Sequence, residues 1–503
     1  MVGLGKQIRL RTDSLLQVVP SAKFTVVRSF LLIPALLVSF LLSENPAWGS
    51  AFSIAELGAR AAGMGTAFCA VADDGSALLY NPAGIGFQPG TRLQMDNLVV
   101  VGFFHFIPLS PPLGTVVPEK GFNGSIRPKF IPVGSLYASQ QLSDRLTVGF
   151  GAFSPFGLAA NFTNFNDSDP ALTKYPGRFA GTRARLESIW FQPTLAIRIT
   201  PNSSLAVGGA LVHTHLFLEQ SILNPLDDAL EFGREAANDV FPGVDKELAA
   251  RSIARLLPEG RVRIAGTSQT LGVTGGYLYK HPQGIISLGL MYRSAVTHHL
   301  DGKASFAFTK GYTLESFVGP DLIPKAFPNQ KIKGAFTTPA TYSFGLATSA
   351  FGNTTLSADF HFQDYRRFSS VPLNFSETEA TNKDVRTPAE ERLVFDFRDS
   401  FQIAVGLEKR MGNMAIRGGY LYDRSPVVDK SVGPLFPDSN RHSATAGFSM
   451  RSGNKEFTVF YEAMQFVNRH TNVAGNVTQF TNGEYRNFAH LAGMGLRFIL
   501  GPQ

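Results

Sequence analysis

Apolar and polar residues alternate along much of the chain beyond residue 90. In residues 356–363, Leu, Ala, Phe and Phe alternate with Ser, Asp, His and Gln, and residues 286–293, 401–408 and 443–450 repeat the pattern. Side chains of a β-strand point to opposite faces in turn, so each stretch predicts a strand with one apolar and one polar face. The recurrence of this pattern after nearly every turn predicts an all-β protein.

The connections between these stretches differ in length. Some are tight turns, as at residues 200–203, 351–353 and 451–454, whereas the long polar connections cover residues 163–185, 219–260, 310–333, 369–395, 424–440 and 469–485. Alternating short turns and long loops are typical of outer-membrane barrels, and an even number of strands, here about 14, places both chain ends on the periplasmic side. The sequence therefore predicts a transmembrane antiparallel β-barrel over residues 91–503.

The connection at residues 219–260 has its own pattern. Its leucines and isoleucine recur among Asp, Glu and Arg at spacings closer to a helical than to a strand period. This pattern predicts one or two short amphipathic helices over the mouth of the barrel, and an irregular charged loop is the alternative.

Composition and charge narrow the class of protein. The chain has 43 Phe and 49 Gly but 17% charged residues, which favours strands and turns over surface helices. Residues 1–51 contain five basic and two acidic residues, so their removal lowers the net charge from +7 to +4. Basic residues form no run, which argues against nucleic-acid binding. Cys69 is the single cysteine, so no intramolecular disulfide and no thiolate metal site can form.

The N-terminal 51 residues have the features of a signal peptide. Basic residues precede the apolar run 30–42, which at 13 residues is too short to span a bilayer, and small residues follow that allow cleavage after Gly49 or Ala51. A short membrane anchor is the alternative. The predicted division is a cleaved signal peptide over residues 1–51, a separate segment over residues 52–90, and the barrel.

The segment over residues 52–90 is rich in glycine and alanine, which allow close packing in a confined space. Two turn signals lie within it: Asp73 and Asp74 before a glycine, and Asn81, Pro82 and Ala83 before another. Taken alone, the second signal is an ordinary turn.

Four stretches together resemble one known family. They are ELGARAAGMGTAFCAVADDGSALLYNPAGIG (residues 56–86), GFGAFSPFGLAANF (149–162), SIWFQPTLAIRIT (188–200) and IRGGYLYDRSPV (416–427). They are similar to the FadL family of outer-membrane transporters of long-chain fatty acids and hydrocarbons. The resemblance implies a fourteen-stranded barrel, a small N-terminal hatch in its lumen over residues 52–90, and a kinked third strand that opens the wall sideways.

The stretch that matches the kink is Ser154, Pro155, Phe156 and Gly157. Proline cannot donate a hydrogen bond to a β-ladder and glycine weakens a strand, so the residues themselves also predict a bend or bulge here.

A carboxylate ligand would need one or two cations on an otherwise apolar wall. The candidates are the inward-facing Arg293 and Arg417 and three arginines near the outer end of the fourth strand, Arg178, Arg183 and Arg185. Each is alternatively a lumen or rim charge paired with an acid such as Asp359, Glu408 or Glu462.

The sequence carries no signal for an enzyme, a cofactor or a metal. It has no Gly-x-Ser-x-Gly motif and no phosphate-binding loop, and its ten histidines are scattered. His213 and His215 share one face of a strand, and without a third ligand they predict a polar lining of the lumen.

The predicted protein is a monomeric barrel in the outer membrane of a Gram-negative bacterium that passively takes up hydrophobic small molecules, with long-chain fatty acids as the leading ligand. Its other partners are outer-membrane lipid and the barrel insertion machinery. Three alternatives stay open at this point: a channel for aromatic or alkane hydrocarbons, a structural or adhesive surface barrel, and a lipid hydrolase. The last would need Ser and His side chains converging at the wall.

Overall fold

The computed structural model describes residues 51–109, 124–125, 131–161, 176–223, 249, 252, 256–308, 315–433, 435–473 and 481–500. The predicted signal peptide and most of the helices predicted within 219–260 lie outside these residues. The strands on either side of that connection end at Leu223 and begin at Glu259.

The described residues form an antiparallel sheet that closes on itself. Its strands are β1 (Thr91–Pro108), β2 (Gly124–Ser125), β3 (Ile131–Gln141), β4 (Leu146–Asn161), β5 (Arg183–Thr200), β6 (Ser203–Leu223), β7 (Glu259–Lys280), β8 (Ser287–Arg293), β9 (Val296–Phe308), β10 (Gln330–Thr338), β11 (Thr341–Thr348), β12 (Thr354–Gln363), β13 (Ser370–Phe375), β14 (Glu390–Val394), β15 (Ser400–Met411), β16 (Met414–Asp423), β17 (Arg441–Ser452), β18 (Lys455–Phe466), β19 (Arg469–Thr471) and β20 (Gly483–Leu500). Strand β1 pairs with β20 along its whole length, which closes the barrel.

These segments occupy 14 positions around the wall because several wall strands are interrupted. Strands β8 and β9 both pair with β7, and β10 and β11 continue them in the next position. Strands β12 and β13 form another position, and β14 and β15 the one after it. The predicted fourteen-stranded transmembrane barrel is confirmed.

Several predicted loops contain strand residues, among them the loop 469–485, which includes β19 and the start of β20. The predicted loop 310–333 includes the start of β10, and the predicted loop 369–395 includes β13 and β14. Pro339, which separates β10 from β11, cannot donate to the ladder, and the breaks on both sides of β13 likewise interrupt the alternation that marks a strand. The wall therefore continues past points where the sequence pattern stops.

The helical elements whose bounds the structure describes are short. These are α1 (Ala59–Ala62), α2 (Ala77–Tyr80), α3 (Glu315–Val318), α4 (Leu322–Ala326) and the 3₁₀ turns Pro82–Phe87, Pro176–Phe179 and Tyr365–Arg367. Within the described ranges, no helix has both the length and the apolar character needed to cross a membrane.

The two faces of the wall have the polarity expected in lipid. On β5, Phe191 and Leu195 point outward and are 38% and 39% exposed, whereas Gln192 and Thr194 point inward and are buried. Apolar side chains outside and polar ones inside reverse the usual arrangement of a water-soluble protein and match a transmembrane barrel.

His213 and His215 lie on the outer face of β6, where they alternate with the buried Val212 and Thr214 and follow the exposed Leu211. The prediction that they line the lumen is therefore wrong. The apolar run from Leu205 to Leu211 on this face gives way to His213 and His215, which places the end of the apolar band of this strand there.

Charge on the outer face of β6 should destabilise the barrel according to depth. Val207 lies near the middle of the apolar band that runs from Leu205 to Leu211. We expect Val207→Arg to lower the free energy of unfolding by about 2–4 kcal/mol. His213→Arg, beyond the apolar band, should lower it by only about 0–1 kcal/mol. Urea unfolding in bilayers, followed by the heat-dependent shift in gel mobility, measures both. Equal costs would contradict this placement of the band.

Candidate functional site

Residues 51–90, here called the N-terminal segment, pack against the inward-facing side of the wall. Nearly all of their side chains are buried. Backbone touches backbone at two places, because a Cβ on Gly65 would lie 2.9 Å from the Tyr420 nitrogen and one on Gly447 would lie 3.0 Å from the Gly63 Cα. Glycine is needed there because any side chain would separate the segment from the strands.

Asn81 joins three stretches of chain. Its Nδ2 donates to the carbonyl oxygens of Cys69 (2.9 Å) and Tyr277 (3.0 Å), and its Oδ1 accepts from the Ala83 nitrogen (3.2 Å). Pro82 follows as the first residue of a 3₁₀ turn, where its missing N–H is not needed. The turn predicted from sequence is therefore also a contact between the segment and β7.

Asp73 and Asp74 have different surroundings. Asp73 forms ion pairs with Arg60 and with Arg410. Burial alone would raise the pKa of Asp73, but Arg60 and neighbouring cations outweigh it and hold the pKa well below its usual range. Asp74 accepts hydrogen bonds from the nitrogen (2.9 Å) and hydroxyl (2.6 Å) of Ser76, and burial raises its pKa.

Two inward-facing acids of the wall hold the same segment. Asp359 Oδ2 accepts hydrogen bonds from the nitrogens of Phe68 (2.7 Å) and Cys69 (2.6 Å). Glu408 accepts from Arg60 Nε at 2.7 Å. The sequence indicated both acids only as partners for arginines, because strand periodicity shows which face a residue occupies but not what lies opposite it.

The wall has a gap beside the predicted kink. Pairing between β3 and β4 ends at Leu136 and Ala152, and the register of β4 against β5 shifts between Phe153 and Phe156, around Ser154 and Pro155. Beyond this bulge, β4 has no ladder with β3.

The start of the N-terminal segment covers this gap. Ser53 forms a β-bridge with Phe156, Ile54 nitrogen donates to the Pro155 oxygen (2.9 Å), and Gly157 nitrogen donates to the Phe52 oxygen (2.8 Å). Residues 52–54 thus supply backbone hydrogen bonds that a neighbouring strand supplies elsewhere in the wall.

The ring of Phe52 lies inside an aromatic cluster. Its centroid is 5.9 Å from that of Phe156, 5.3 Å from Tyr365 and 5.1 Å from Phe368, each in an edge-to-face arrangement. Phe436 lies 6.1 Å away on another side. This cluster, here called the Phe52 cluster, is an apolar site beside the gap.

Four of the five arginines predicted as ligand contacts pair with acids. Their partners are Glu259 for Arg178, Glu219 for Arg183, Glu187 for Arg185 and Glu408 for Arg417. Arg185 is also largely exposed. These four therefore form ion pairs of the kind that the sequence offered as the alternative.

Arg293 differs from the other four. Its Nη2 donates to the Leu79 oxygen (2.7 Å), its Nε has no hydrogen-bond partner, and it forms no salt bridge with any described carboxylate. The guanidinium carbon lies 5.5 Å from the Trp190 ring and 5.7 Å from the Phe153 ring. A buried cation with apolar neighbours and spare donor capacity therefore lies next to the kinked strand.

The contact between Asn81 and β7 depends on Gly276. A Cβ there would lie 2.3 Å from Asn81 Oδ1, whereas a Cβ on Gly275 would meet only the Ala206 oxygen at 3.8 Å. We expect Gly276→Ala to lower the free energy of unfolding by about 1–3 kcal/mol, because the added methyl group overpacks the contact. The loosened segment should then be cleaved faster by trypsin after Arg60. Gly275→Ala is the control, with expected effects within about 0.5 kcal/mol. Equal protease resistance of the two variants would contradict this role for Gly276.

Solved structures of known proteins superpose on this barrel. A crystal structure of a Pseudomonas aeruginosa FadL homologue superposes with a TM-score of 0.68 over 91% of this chain and 100% of that chain, at 16% identity. The Pseudomonas putida toluene transporter TodX gives a TM-score of 0.61 over 89% and 99%, also at 16% identity. The outer membrane protein NMB0088 of Neisseria meningitidis serogroup B is 23% identical over 422 residues, which are 80% of this chain and 85% of that protein. The sequence model of the family described as "Outer membrane protein transport protein (OMPP1/FadL/TodX)" matches residues 40–498, and the chain belongs to this family of outer-membrane transport proteins.

Proposed function

We propose that the protein takes up hydrophobic small molecules passively, and that they leave the lumen sideways through the gap between β3 and β4. The observation that carries this proposal is the N-terminal segment: Ser53 and Ile54 pair with the kinked strand where its neighbour is missing. In this proposal the protein is a monomer in the outer membrane of a Gram-negative bacterium, and residues 52–90 act as a hatch.

A sideways exit suits a hydrophobic ligand. Each methylene that moves from an apolar site into water costs about 0.8 kcal/mol, so release into the periplasm would reverse the gain made on binding. Release through the wall keeps the ligand in apolar surroundings until it reaches the outer-membrane lipid. No input of energy is needed when the ligand moves down its concentration gradient.

The first residues of the hatch are the part that moves in this proposal. Residues 51–54 are held by a few backbone bonds to β4, by Gln363 Nε2 donating to Ser53 Oγ (3.0 Å) and by the Ala51 nitrogen donating to Asp438 Oδ2 (2.8 Å). The rest of the hatch is anchored by Asn81, Asp359 and Arg60. A ligand that takes the place of the Phe52 ring would release the cover while the anchored part stays in place.

Long-chain fatty acids are the leading ligands because of Arg293. A guanidinium buried without a carboxylate partner is costly, and its planar donors match a carboxylate. A fatty acid headgroup at Arg293 would also lie beside Phe153, at the start of the bulge. Its acyl chain could then reach the Phe52 cluster along the kinked strand.

Aromatic hydrocarbons are the second candidate because of the geometry of the Phe52 cluster. Aromatic pairs favour edge-to-face contacts, and the contacts of Phe52 with three neighbouring rings have this form. An uncharged aromatic ring could take the position of the Phe52 ring and would not need Arg293.

Locking the cover should stop transport. In a Cys69→Ala background, Ser53→Cys with Phe156→Cys places two cysteines at a β-bridge, where the geometry suits a disulfide. We expect oxidised protein to lose at least 90% of ligand uptake, by an order-of-magnitude estimate, and reduction to restore it. The measurement is uptake of labelled oleate or toluene by cells with oxidised and reduced protein.

The control cross-link joins two strands that are already paired. Thr297 and Thr337 face each other across β9 and β10, with hydroxyl oxygens 3.0 Å apart. A disulfide between cysteines at these positions should leave uptake unchanged. Normal uptake through the locked Ser53–Phe156 pair would contradict a sideways exit at this gap.

Removing the cation at Arg293 should separate the two ligand classes. We expect Arg293→Met to weaken oleate uptake by about tenfold or more, equivalent to about 1.4 kcal/mol, and to leave toluene uptake within twofold. Arg185→Met, which removes an exposed arginine, is the control. Equal loss of both ligands would count against a carboxylate at Arg293, and no loss of either would favour uncharged ligands.

A further inference from the structure

A cavity of about 380 Å³ lies between the N-terminal segment and the end of the barrel where β1 begins and β20 ends. It shares no lining residue with the Phe52 cluster and does not include Arg293. Six guanidinium groups line it, and they belong to Arg60, Arg92, Arg410, Arg417, Arg451 and Arg497.

Among the described residues, guanidinium groups outnumber the carboxylates around this cavity. Asp73 and Glu456 line the cavity, and Glu408 lies behind its wall, bonded to Arg60, Arg410 and Arg417. Asp74 approaches Arg60 at 3.8 Å. Asp96 lies near Arg497 in the same cluster, so these five described acids lie close to the six guanidinium groups.

Two buried guanidinium nitrogens in the cavity wall have no hydrogen-bond acceptor within the described ranges. Arg417 is 6% exposed, and its Nε donates to Glu408 (2.6 Å) and its Nη2 to Ser449 Oγ (2.9 Å), but its Nη1 has no partner. Arg92 Nη1 is also buried without a partner. Arg92 is further repelled by its like-charged neighbours Arg451 and Arg497. A buried donor without an acceptor is unfavourable, and a bound acceptor would relieve this cost.

The ligand chemistry follows from these donors. Guanidinium groups bind planar or tetrahedral oxyanions with paired hydrogen bonds, and arginine is the residue most suited to this contact. Phe87, Met414 and Ile499 add apolar surface to the same cavity. Carboxylates and phosphates both fit, either as free anions or as the headgroup of an amphiphile.

We propose that this cavity is a binding site for an oxyanion, with Arg417 and Arg92 as its principal donors. It is separate from the proposed transport route, so a ligand can bind here whether or not the hatch opens. The site faces the end of the barrel at which β1 begins and β20 ends. In the topology predicted from the strand number, that end is periplasmic.

The test is calorimetric titration of the full mature protein in an uncharged detergent at pH 7. The probes are inorganic phosphate, octanoate and, as a neutral match for octanoate, octanol. We expect at least one anion to bind, and its affinity to fall at least tenfold in the Arg92→Gln/Arg417→Gln double variant. Octanol should not distinguish the double variant from the wild type.

Arg145→Gln is the matched control. Arg145 is an exposed residue of the β3–β4 turn at the same end of the barrel, and it does not line the cavity. The single variant Arg92→Gln guards against misfolding, because it removes a repelled charge and should keep the heat-dependent gel shift of the wild type. Binding of phosphate alone would identify a free anion as the ligand, and binding of octanoate alone would identify an amphiphile headgroup.

The proposal is overturned if neither anion binds, or if Arg145→Gln weakens binding as much as Arg92→Gln does. Neither result would bear on uptake, because the titration does not depend on the gap or on Arg293. Conversely, the anion titration would still respond to Arg92 and Arg417 if the uptake proposal failed.

Discussion

The need to satisfy every backbone hydrogen bond within a bilayer governs this structure. Hydrocarbon offers no partner for an exposed N–H or C=O group, so a spanning sheet has to close. Strands β1 and β20 meet this need by pairing from end to end. The same constraint gives the bulge at Ser154 and Pro155 its significance, because here β4 leaves its neighbour and Ser53 provides the bridge in its place.

Closing the barrel creates a second constraint, which concerns its interior. An inward-facing acid is unfavourable unless it is paired, and the N-terminal segment provides the partners. Asp359 accepts hydrogen bonds from two backbone nitrogens of this segment, and Glu408 accepts one from Arg60. The polar interior thus fixes the position of the segment, while glycines allow the two backbones to touch. Near the gap, by contrast, aromatic contacts around Phe52 predominate.

Strand periodicity predicted the fold because it depends only on which face a residue occupies. It located the barrel, its strand number and the inward direction of Arg293 and Arg417. Glu408 and Arg417 face each other across the tight turn between β15 and β16, nine residues apart, so this pair depends only on the register of neighbouring strands. Periodicity alone does not give that register, and it could not predict that Arg293 has no salt bridge with a described carboxylate. The sequence did not predict β13 and β14 because both strands are short. The alternation of apolar and polar residues is interrupted on either side of them, and such a stretch resembles a loop. The outward direction of His213 required the register of β6.

The contacts of Gly63 with Gly447 and of Gly65 with Tyr420 limit how the protein can move. With main chain against main chain, the residues after α1 have no layer of side chains over which to slide, so movement along the wall would bring them against the backbone of β16 and β17. Residues 51–54 have no glycine contact of this kind and are held instead by hydrogen bonds to β4 and by the packing of the Phe52 ring. In the proposed transport, opening is therefore a local release of residues 51–54, a small fluctuation that thermal motion can supply, rather than the expulsion of a folded domain.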